Sequence, residues 1–122
     1  RLGEHKAPRY VTWSPENRSQ LIRIPAAKGE FERIELRSPD PSCNPYLAFA
    51  LILRAGLDGV KRGLVPPPPT NVNLFTADPS VTKGLQKLPA TREAAFAAAS
   101  ESAFVRAVLP EGILNAYASC GN

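Results

Sequence analysis

The sequence predicts an α+β fold, in which a few short strands precede a set of helices. Segments rich in β-branched residues or in strict charged–apolar alternation fall within the first 37 positions. Clear helix-start signals occur only from residue 44 onward. This succession of strands and then helices is typical of α+β domains. With 122 residues, the chain has the size of one domain.

The strands are bounded by turn and proline signals. Ser14-Pro15 ends the first β-prone segment, and Pro25 stops the second. The connection that follows contains Gly29 and is short enough for an antiparallel hairpin between the second and third strands. We therefore predict short antiparallel strands at about residues 9–13, 21–24 and 31–37.

The helices have recognisable starts and ends. Asn44 is a favourable N-cap, Pro45 suits the first helical position, and Gly63 suits the left-handed residue after the end. This helix is apolar almost all round through Leu53, so we expect it to be deeply buried. Helices are predicted at about residues 45–62, 92–99, 102–109 and 111–119.

Two segments are predicted to lack regular structure. The four prolines at 66–69 form a stiff polyproline spacer. Residues 71–88 show no firm period and are predicted as loop with a turn at Asp78-Pro79. The longest apolar run, residues 46–53, is too short to span a membrane.

The charge distribution and the cysteine spacing indicate which partners and which cellular compartment to expect. The net charge of +4 comes without a Lys/Arg run or interleaved aromatics, so neither nucleic acid nor membrane is a predicted partner. Cys43 and Cys120 lack metal-type or redox spacing, which favours a reduced, cytoplasmic setting. The chain has no methionine and begins at Arg1, so we expect a fragment of a longer gene product or of a designed one.

Residues 33–37 alternate strictly between charged and apolar side chains. In a strand, Ile34 and Leu36 would face a core, and Arg33, Glu35 and Arg37 would share the other face. Such a face is either a solvated row of ion pairs or a site that holds a divalent cation on the carboxylate and anionic oxygens on the guanidinium groups. The spacing alone leaves both interpretations open.

Four arginines come from the same β-rich part of the chain, namely Arg18, Arg23, Arg33 and Arg37. No phosphate-binding glycine loop, second metal-ligand cluster or Ser/His/Asp set accompanies them. The residues themselves therefore suggest phosphate or carboxylate binding, helped by a metal-bound carboxylate. Glu35 alone cannot make a magnesium site, so its partners must come from residues that this chain lacks.

Several ordered motifs closely resemble the C-terminal part of the catalytic domain of bacterial type I glutamine synthetases. The match is dense up to about residue 60 and thins beyond the polyproline run. The motifs are Asn17-Arg18-Ser19, Ile22-Arg23-Ile24-Pro25, Arg33-Ile34-Glu35-Leu36-Arg37, Ser38-Pro39-Asp40-Pro41, Asn44-Pro45-Tyr46-Leu47-Ala48-Phe49 and Ala55-Gly56-Leu57-Asp58-Gly59.

The resemblance implies an ATP-dependent ligase that joins ammonia to L-glutamate through γ-glutamyl phosphate. It implies Mg²⁺ or Mn²⁺ as cofactor and a parent protein that forms a ring-shaped homo-oligomer, a dodecamer. It also implies that an N-terminal domain and the first half of the catalytic domain precede this segment. We therefore expect the isolated 122-residue chain to be inactive.

The resemblance also assigns roles to charged residues. Glu35 resembles a ligand of the metal that bridges to the transferred phosphate. Arg37 resembles a contact to the glutamate side chain, and Arg1 resembles the arginine that meets the glutamate carboxylate. Arg18 resembles the arginine that contacts both the nucleotide phosphate and the glutamyl group, so Arg18 and Arg37 are the implied catalytic residues.

Two further arginines, Arg23 and Arg33, resemble nucleotide-phosphate contacts and complete the implied ATP-binding set with Arg18. The sequence departs from the family pattern in three places, and in the first of them Lys28 is the nearest candidate for a lysine that some members carry between the two strands. Lys6 occupies the flap position where the family usually carries a glutamate before Ala-Pro. Phe75 lies where adenylylated members carry a tyrosine, so we expect that modification to be absent.

Two alternative functions remain open. A related γ-glutamyl-amine ligase with a different amine acceptor is suggested by Lys6. A catalytically dead binding or assembly module is suggested by the missing half of the site. In either case, a segment cut from a larger fold exposes apolar surface, so we expect the isolated chain to self-associate.

Overall fold

The computed structural model describes residues 4–119, which form a three-stranded sheet and five helices. The predicted α+β class is confirmed. The described chain divides into two units. Residues 4–40 and 67–91 form the strand unit, and residues 41–66 and 92–119 form the helical unit.

The sheet has the order β1-β2-β3, with β1 at Trp13–Pro15, β2 at Ile22–Ile24 and β3 at Glu35–Leu36. The predicted antiparallel hairpin between the second and third strands is confirmed, because β2 and β3 pair antiparallel. This register places Arg23 directly opposite Glu35.

The first strand differs from the prediction in position and direction. It was expected at 9–13 and antiparallel, but β1 lies at Trp13–Pro15 and pairs with β2 in parallel. The β-prone segment before it pairs elsewhere: Val11 N donates to Gln86 O at 2.8 Å, and Leu88 N donates to Arg9 O at 2.9 Å. The sequence could not indicate this partner, because residues 86–88 fall in a segment without strand periodicity.

The third strand is shorter than the predicted 31–37. A 3₁₀ turn at Gly29–Phe31, with Gly29 in the left-handed region at φ 65°, delays entry into the strand until Glu35. Ile34 is therefore exposed instead of facing a core, whereas Leu36 is half-buried.

The interior of the strand unit contains a buried polar network. Gln20 is fully buried, and its side-chain amide donates to Thr70 O at 2.7 Å and Val72 O at 2.9 Å. The hydroxyl of Ser19, also buried, accepts from Leu74 N at 2.9 Å. These hydrogen bonds connect residues 70–74, which follow the polyproline run, to the turn between β1 and β2.

The first helix, α1, spans Pro45–Lys61 and begins and ends as predicted. The Asn44 side chain accepts from Tyr46 N and Leu47 N, and Gly63 adopts φ 59° after the end. The expected deep burial is wrong, since α1 contains no buried residue. The apolar side chains are present, but the described residues supply no surface that covers most of them.

Four further helices complete the described chain: α2 at Pro79–Thr82, α3 at Arg92–Glu101, α4 at Ala103–Val108 and α5 at Glu111–Ser119. The last three lie close to their predicted positions. The turn at Asp78-Pro79 is instead a short capped helix, in which Asp78 accepts from Ser80 N. No helix in residues 4–119 is long and apolar enough to cross a membrane.

Candidate functional site

An arginine–glutamate–arginine cluster lies on β2 and β3 of the strand unit. Arg23 Nη2 is 2.6 Å from Glu35 Oε2, and Arg37 Nε is 3.3 Å from Glu35 Oε1. The Glu35 side chain is 39% exposed, compared with 13% for Arg23 and 17% for Arg37. The carboxylate is thus held on both oxygens, yet it is the most accessible group of the three.

The arginines fix the ionisation state of the acid. The pKa of Glu35 is lowered, chiefly by the hydrogen bond from Arg23 and further by the charges of Arg23, Arg37 and Arg18, while partial burial acts in the opposite direction. The same hydrogen bond raises the pKa of Arg23. The carboxylate is therefore negatively charged at neutral pH.

Arg37 also connects the acid to two backbone segments. Its Nη1 donates to Arg18 O and, at 3.4 Å, to Gln20 O. Its Nη2 donates to Lys6 O at 3.3 Å. A guanidinium offers several N–H donors in a fixed plane, so one side chain joins the loop at Lys6 and the turn at Arg18 to Glu35.

The other predicted site residues differ in how close they lie to Glu35. The Arg18 side chain is exposed and close enough for its charge to lower the pKa of Glu35. Arg33 lies before β3, is exposed, and donates to Phe31 O at 3.1 Å, so it does not share a strand face with Glu35 and Arg37. Arg1 lies outside the described residues.

The sequence interpretation missed Ser19 and Gln20 as supports of the Arg18 turn. Both residues are polar and follow Arg18 directly in the sequence, and burial of a glutamine gives no periodic signal. The sequence also gave no indication that the Lys6 carbonyl accepts a hydrogen bond from Arg37. Any residue at that position has a backbone carbonyl, so the residue type carries no signal.

The described residues of the arginine cluster offer one carboxylate, that of Glu35, as a candidate metal ligand. No group of three or more His, Cys, Asp or Glu residues that could hold a metal occurs within residues 4–119. Glu35 has the chemistry of a single hard-oxygen ligand, which Mg²⁺ and Mn²⁺ prefer. His5 is exposed, and Cys43 is a free, half-buried thiol.

Sequence comparisons agree with the motif resemblance over the whole chain. The family model described as the glutamine synthetase catalytic domain matches residues 1–122. A glutamine synthetase of Methanosarcina mazei is 50% identical over 115 residues, which cover 93% of this chain and 26% of that protein. A glutamine synthetase of Staphylococcus aureus is 43% identical over the same shares.

A solved structure described as a GmaS/ADP complex has a similar fold. It matches 97% of this chain and 27% of that chain, with a TM-score of 0.78 and 29% identity. The chain therefore spans about a quarter of the length of the relatives it matches.

Proposed function

Because this chain belongs to the glutamine synthetase catalytic-domain family, we propose that it supplies part of the active site of a glutamate–ammonia ligase. The reaction would use ATP to convert L-glutamate into γ-glutamyl phosphate, which ammonia then attacks to give glutamine. The observation that carries this proposal is the ionised Glu35 held between Arg23 and Arg37, with Arg18 beside it.

Each charged residue has a role suited to that chemistry. Arg37 and Arg1 would bind glutamate, Arg23 and Arg33 would bind nucleotide phosphates, and Arg18 would contact both substrates. Guanidinium groups suit these roles because they stay protonated and bind carboxylate or phosphate through two parallel hydrogen bonds. They would stabilise the negative charge that develops during phosphoryl transfer.

Glu35 would serve as one ligand of a divalent cation. The partly exposed, ionised carboxylate fits this role, although a cation would have to share its oxygens with Arg23 and Arg37. Bound Mg²⁺ or Mn²⁺ would neutralise charge on the transferred phosphate. Its remaining ligands would come from parts of the protein outside these 122 residues.

The complete site would therefore need the rest of the catalytic domain, the N-terminal domain and a neighbouring subunit of a ring-shaped homo-oligomer. This accords with a chain that spans 26% of its curated relatives. We expect the isolated chain to bind Mg-ATP weakly and to show no turnover. The protein would act in the cytoplasm, where reduced thiols such as Cys43 persist.

A second candidate is a related γ-glutamyl-amine ligase. Lys6 motivates it, because a cationic side chain at the flap position differs from the family's usual glutamate. The Lys6 carbonyl accepts from Arg37 Nη2, which keeps this loop close to the substrate arginine. The similarity to a structure described as GmaS/ADP supports the same nucleotide chemistry in either case.

Phosphate release separates the candidates. The full-length protein would be assayed with ATP, glutamate and Mg²⁺ in the presence of ammonia, methylamine or a polyamine. We expect ammonia to support the highest kcat/KM. Phosphate release supported only by a larger amine would favour the second candidate. Absence of phosphate release with every amine tested would favour a catalytically dead module.

A further inference from the structure

The turn between β1 and Arg18 contains a rare and strained form of the γ-turn. Asn17 N donates to Pro15 O at 2.8 Å, which closes a three-residue turn from residue i+2 to residue i. The central residue of this turn, Glu16, has a φ of 66°. The common, inverse γ-turn has a central φ of about −75°, so the turn at Glu16 is the strained form with positive φ.

Glutamate is an unfavourable residue for this conformation. At positive φ, the Cβ of an L-residue comes close to the backbone, whereas glycine has no Cβ and adopts such angles freely. A turn that only reversed the chain would be better served by glycine or asparagine. Strain at a non-glycine residue persists where the surrounding structure enforces it, and such positions cluster at active sites. Glu16 lies two residues before Arg18, which fits this pattern.

Hydrogen bonds on both sides hold the γ-turn in place. Glu16 N donates to Ile24 O at 3.2 Å, which extends the pairing of β1 with β2 by one residue. On the other side, Asn17 Oδ1 accepts from Ser19 N at 3.0 Å, and Ser19 is buried. A change of φ at Glu16 would rotate the neighbouring peptide groups and disturb these hydrogen bonds. The surrounding structure therefore enforces the strained conformation.

The direction of the Arg18 side chain depends on this backbone. The side chain is exposed, and within residues 4–119 no hydrogen bond or ion pair holds its guanidinium. The Arg18 carbonyl accepts from Arg37 Nη1, which fixes the backbone of Arg18 beside the arginine cluster. Ser14 and Ser19 are both buried, so residues 15–18 carry the chain from the interior to solvent and back within four positions. The tight turn before Arg18 determines where its side chain emerges from this short segment.

We propose that the strained γ-turn at Glu16 is a positioning element that directs the Arg18 side chain towards Glu35. Glu16 itself touches no reacting group and acts only through the conformation of the turn. The inference rests on the proposed function, in which Arg18 contacts both the nucleotide phosphate and the glutamyl group. A displaced guanidinium would meet both groups less well, so substrate binding and turnover would both be impaired.

Steady-state kinetics of the full-length protein test this inference. Glu16→Val places a β-branched side chain, which is strongly disfavoured at positive φ, at the centre of the turn. We expect the KM for ATP to rise at least about 5-fold and kcat to fall at least about 10-fold. The matched control is Glu101→Val, the same substitution at an exposed acid of α3, which should change neither value more than about twofold.

Glu16→Gly separates the conformation of the backbone from the chemistry of the side chain. Glycine adopts a positive φ without strain, so we expect this variant to keep KM and kcat within about threefold of the unmodified protein. Losses as large as those of Glu16→Val would overturn the inference, because the glutamate side chain and not the turn would then be required.

The change in KM distinguishes positioning from simple loss of folded protein. Partial unfolding lowers the concentration of active enzyme, and thus the apparent kcat, but leaves KM unaltered. A lower kcat with an unaltered KM in Glu16→Val would therefore overturn the inference. Glu16→Thr has the same β-branching in a smaller, polar side chain and serves as the second variant, with the same rise in KM expected.

Hydrogen exchange provides a measurement that does not depend on turnover. The Asn17 amide, which donates to Pro15 O, should exchange with deuterium at least about 10-fold faster in Glu16→Val than in the unmodified full-length protein. Glu16→Gly should leave this exchange slow. If the unmodified protein forms no glutamine, the proposed function fails. Equal exchange at Asn17 in Glu16→Val and in the unmodified protein would instead overturn the inference about the turn.

Discussion

The guanidinium of Arg37 binds an acid and the backbone at once. Its Nε lies beside Glu35, and its two terminal nitrogens donate to carbonyls of Arg18, Gln20 and Lys6. The residue proposed to contact glutamate is thus also the one that positions the turn at Arg18 and the loop at Lys6. Its planar fork, and not its charge alone, makes this possible.

Arg37→Lys should therefore be damaging although the charge is kept. A lysine ammonium cannot reach the carboxylate and the separate carbonyls in the same geometry. We expect kcat/KM for glutamate in the full-length protein to fall about 10- to 100-fold. Arg62→Lys, at an exposed ion pair with Asp58, is the matched control and should change kcat/KM less than twofold. Equal, small effects of both substitutions would contradict the positioning role.

The lowered pKa of Glu35 predicts a pH dependence of stability. The ion pairs hold the folded-state pKa below the ordinary value of 4.5. Their stabilisation is therefore present above that value and is lost as the pH falls through the lower, folded-state pKa. In urea titrations of metal-free protein, the stability advantage over Glu35→Gln should shrink below about pH 4.5. An advantage that stays constant down to pH 3 would contradict this assignment.

The register of β2 and β3 creates the site at the level of elements. Arg23 stands opposite Glu35 because Ile22 pairs with Leu36, and a slip of one residue would turn Glu35 to the other face. The turn that precedes β2 is held by Gln20, which is fully buried and bonded to two carbonyls of the 70–72 segment.

Gln20→Leu should destabilise the strand unit by about 2 kcal/mol, because the Thr70 carbonyl loses its Gln20 donor and the Val72 carbonyl keeps only the longer bond from the Ser19 hydroxyl. The backbone N–H of Leu74, bonded to Ser19, should then exchange with deuterium faster. Gln86→Leu, at an exposed glutamine, is the control and should leave that exchange unchanged. Unaltered protection at Leu74 in the Gln20 variant would contradict the proposed support.

The secondary-structure elements that the sequence predicted best are those defined by neighbouring residues. Asn44, Pro45 and Gly63 marked the ends of α1, because caps depend on neighbouring residues only. The hairpin of β2 and β3 was predictable for the same reason, because its two strands are joined by a short connection. The pairing of residues 9–11 with 86–88 and the parallel β1 were not predictable, because distant parts of the chain decide them.

The candidate site was predicted in part for the same reason. Arg23 and Glu35 meet across a hairpin, and Arg37 follows the same strand, so their proximity could be anticipated. Arg33 was misplaced because the 3₁₀ turn shortens β3. The support from Gln20 depends on a segment fifty residues away, which no local pattern reveals.

At the scale of the whole molecule, the exposed apolar side chains of α1 and the single carboxylate of the arginine cluster lead to the same expectation. The helix was predicted to be buried from its composition, and the described chain lacks the surface that would bury it. The site likewise has one candidate carboxylate ligand in the arginine cluster. Both features fit a segment of a larger catalytic domain.

The most direct test of the proposed function is the transfer of nitrogen from ¹⁵N-ammonium to glutamine. The full-length protein, with ATP, glutamate and Mg²⁺, should form ¹⁵N-glutamine detectable by NMR. Glu35→Gln should lower kcat by at least about 100-fold, because a neutral amide is a poor ligand and cannot balance the arginines. Glu32→Gln, at an exposed acid near β3, should keep kcat within twofold. Absence of ¹⁵N-glutamine with the unmodified protein, or equal kcat for both variants, would contradict the proposed role of this site.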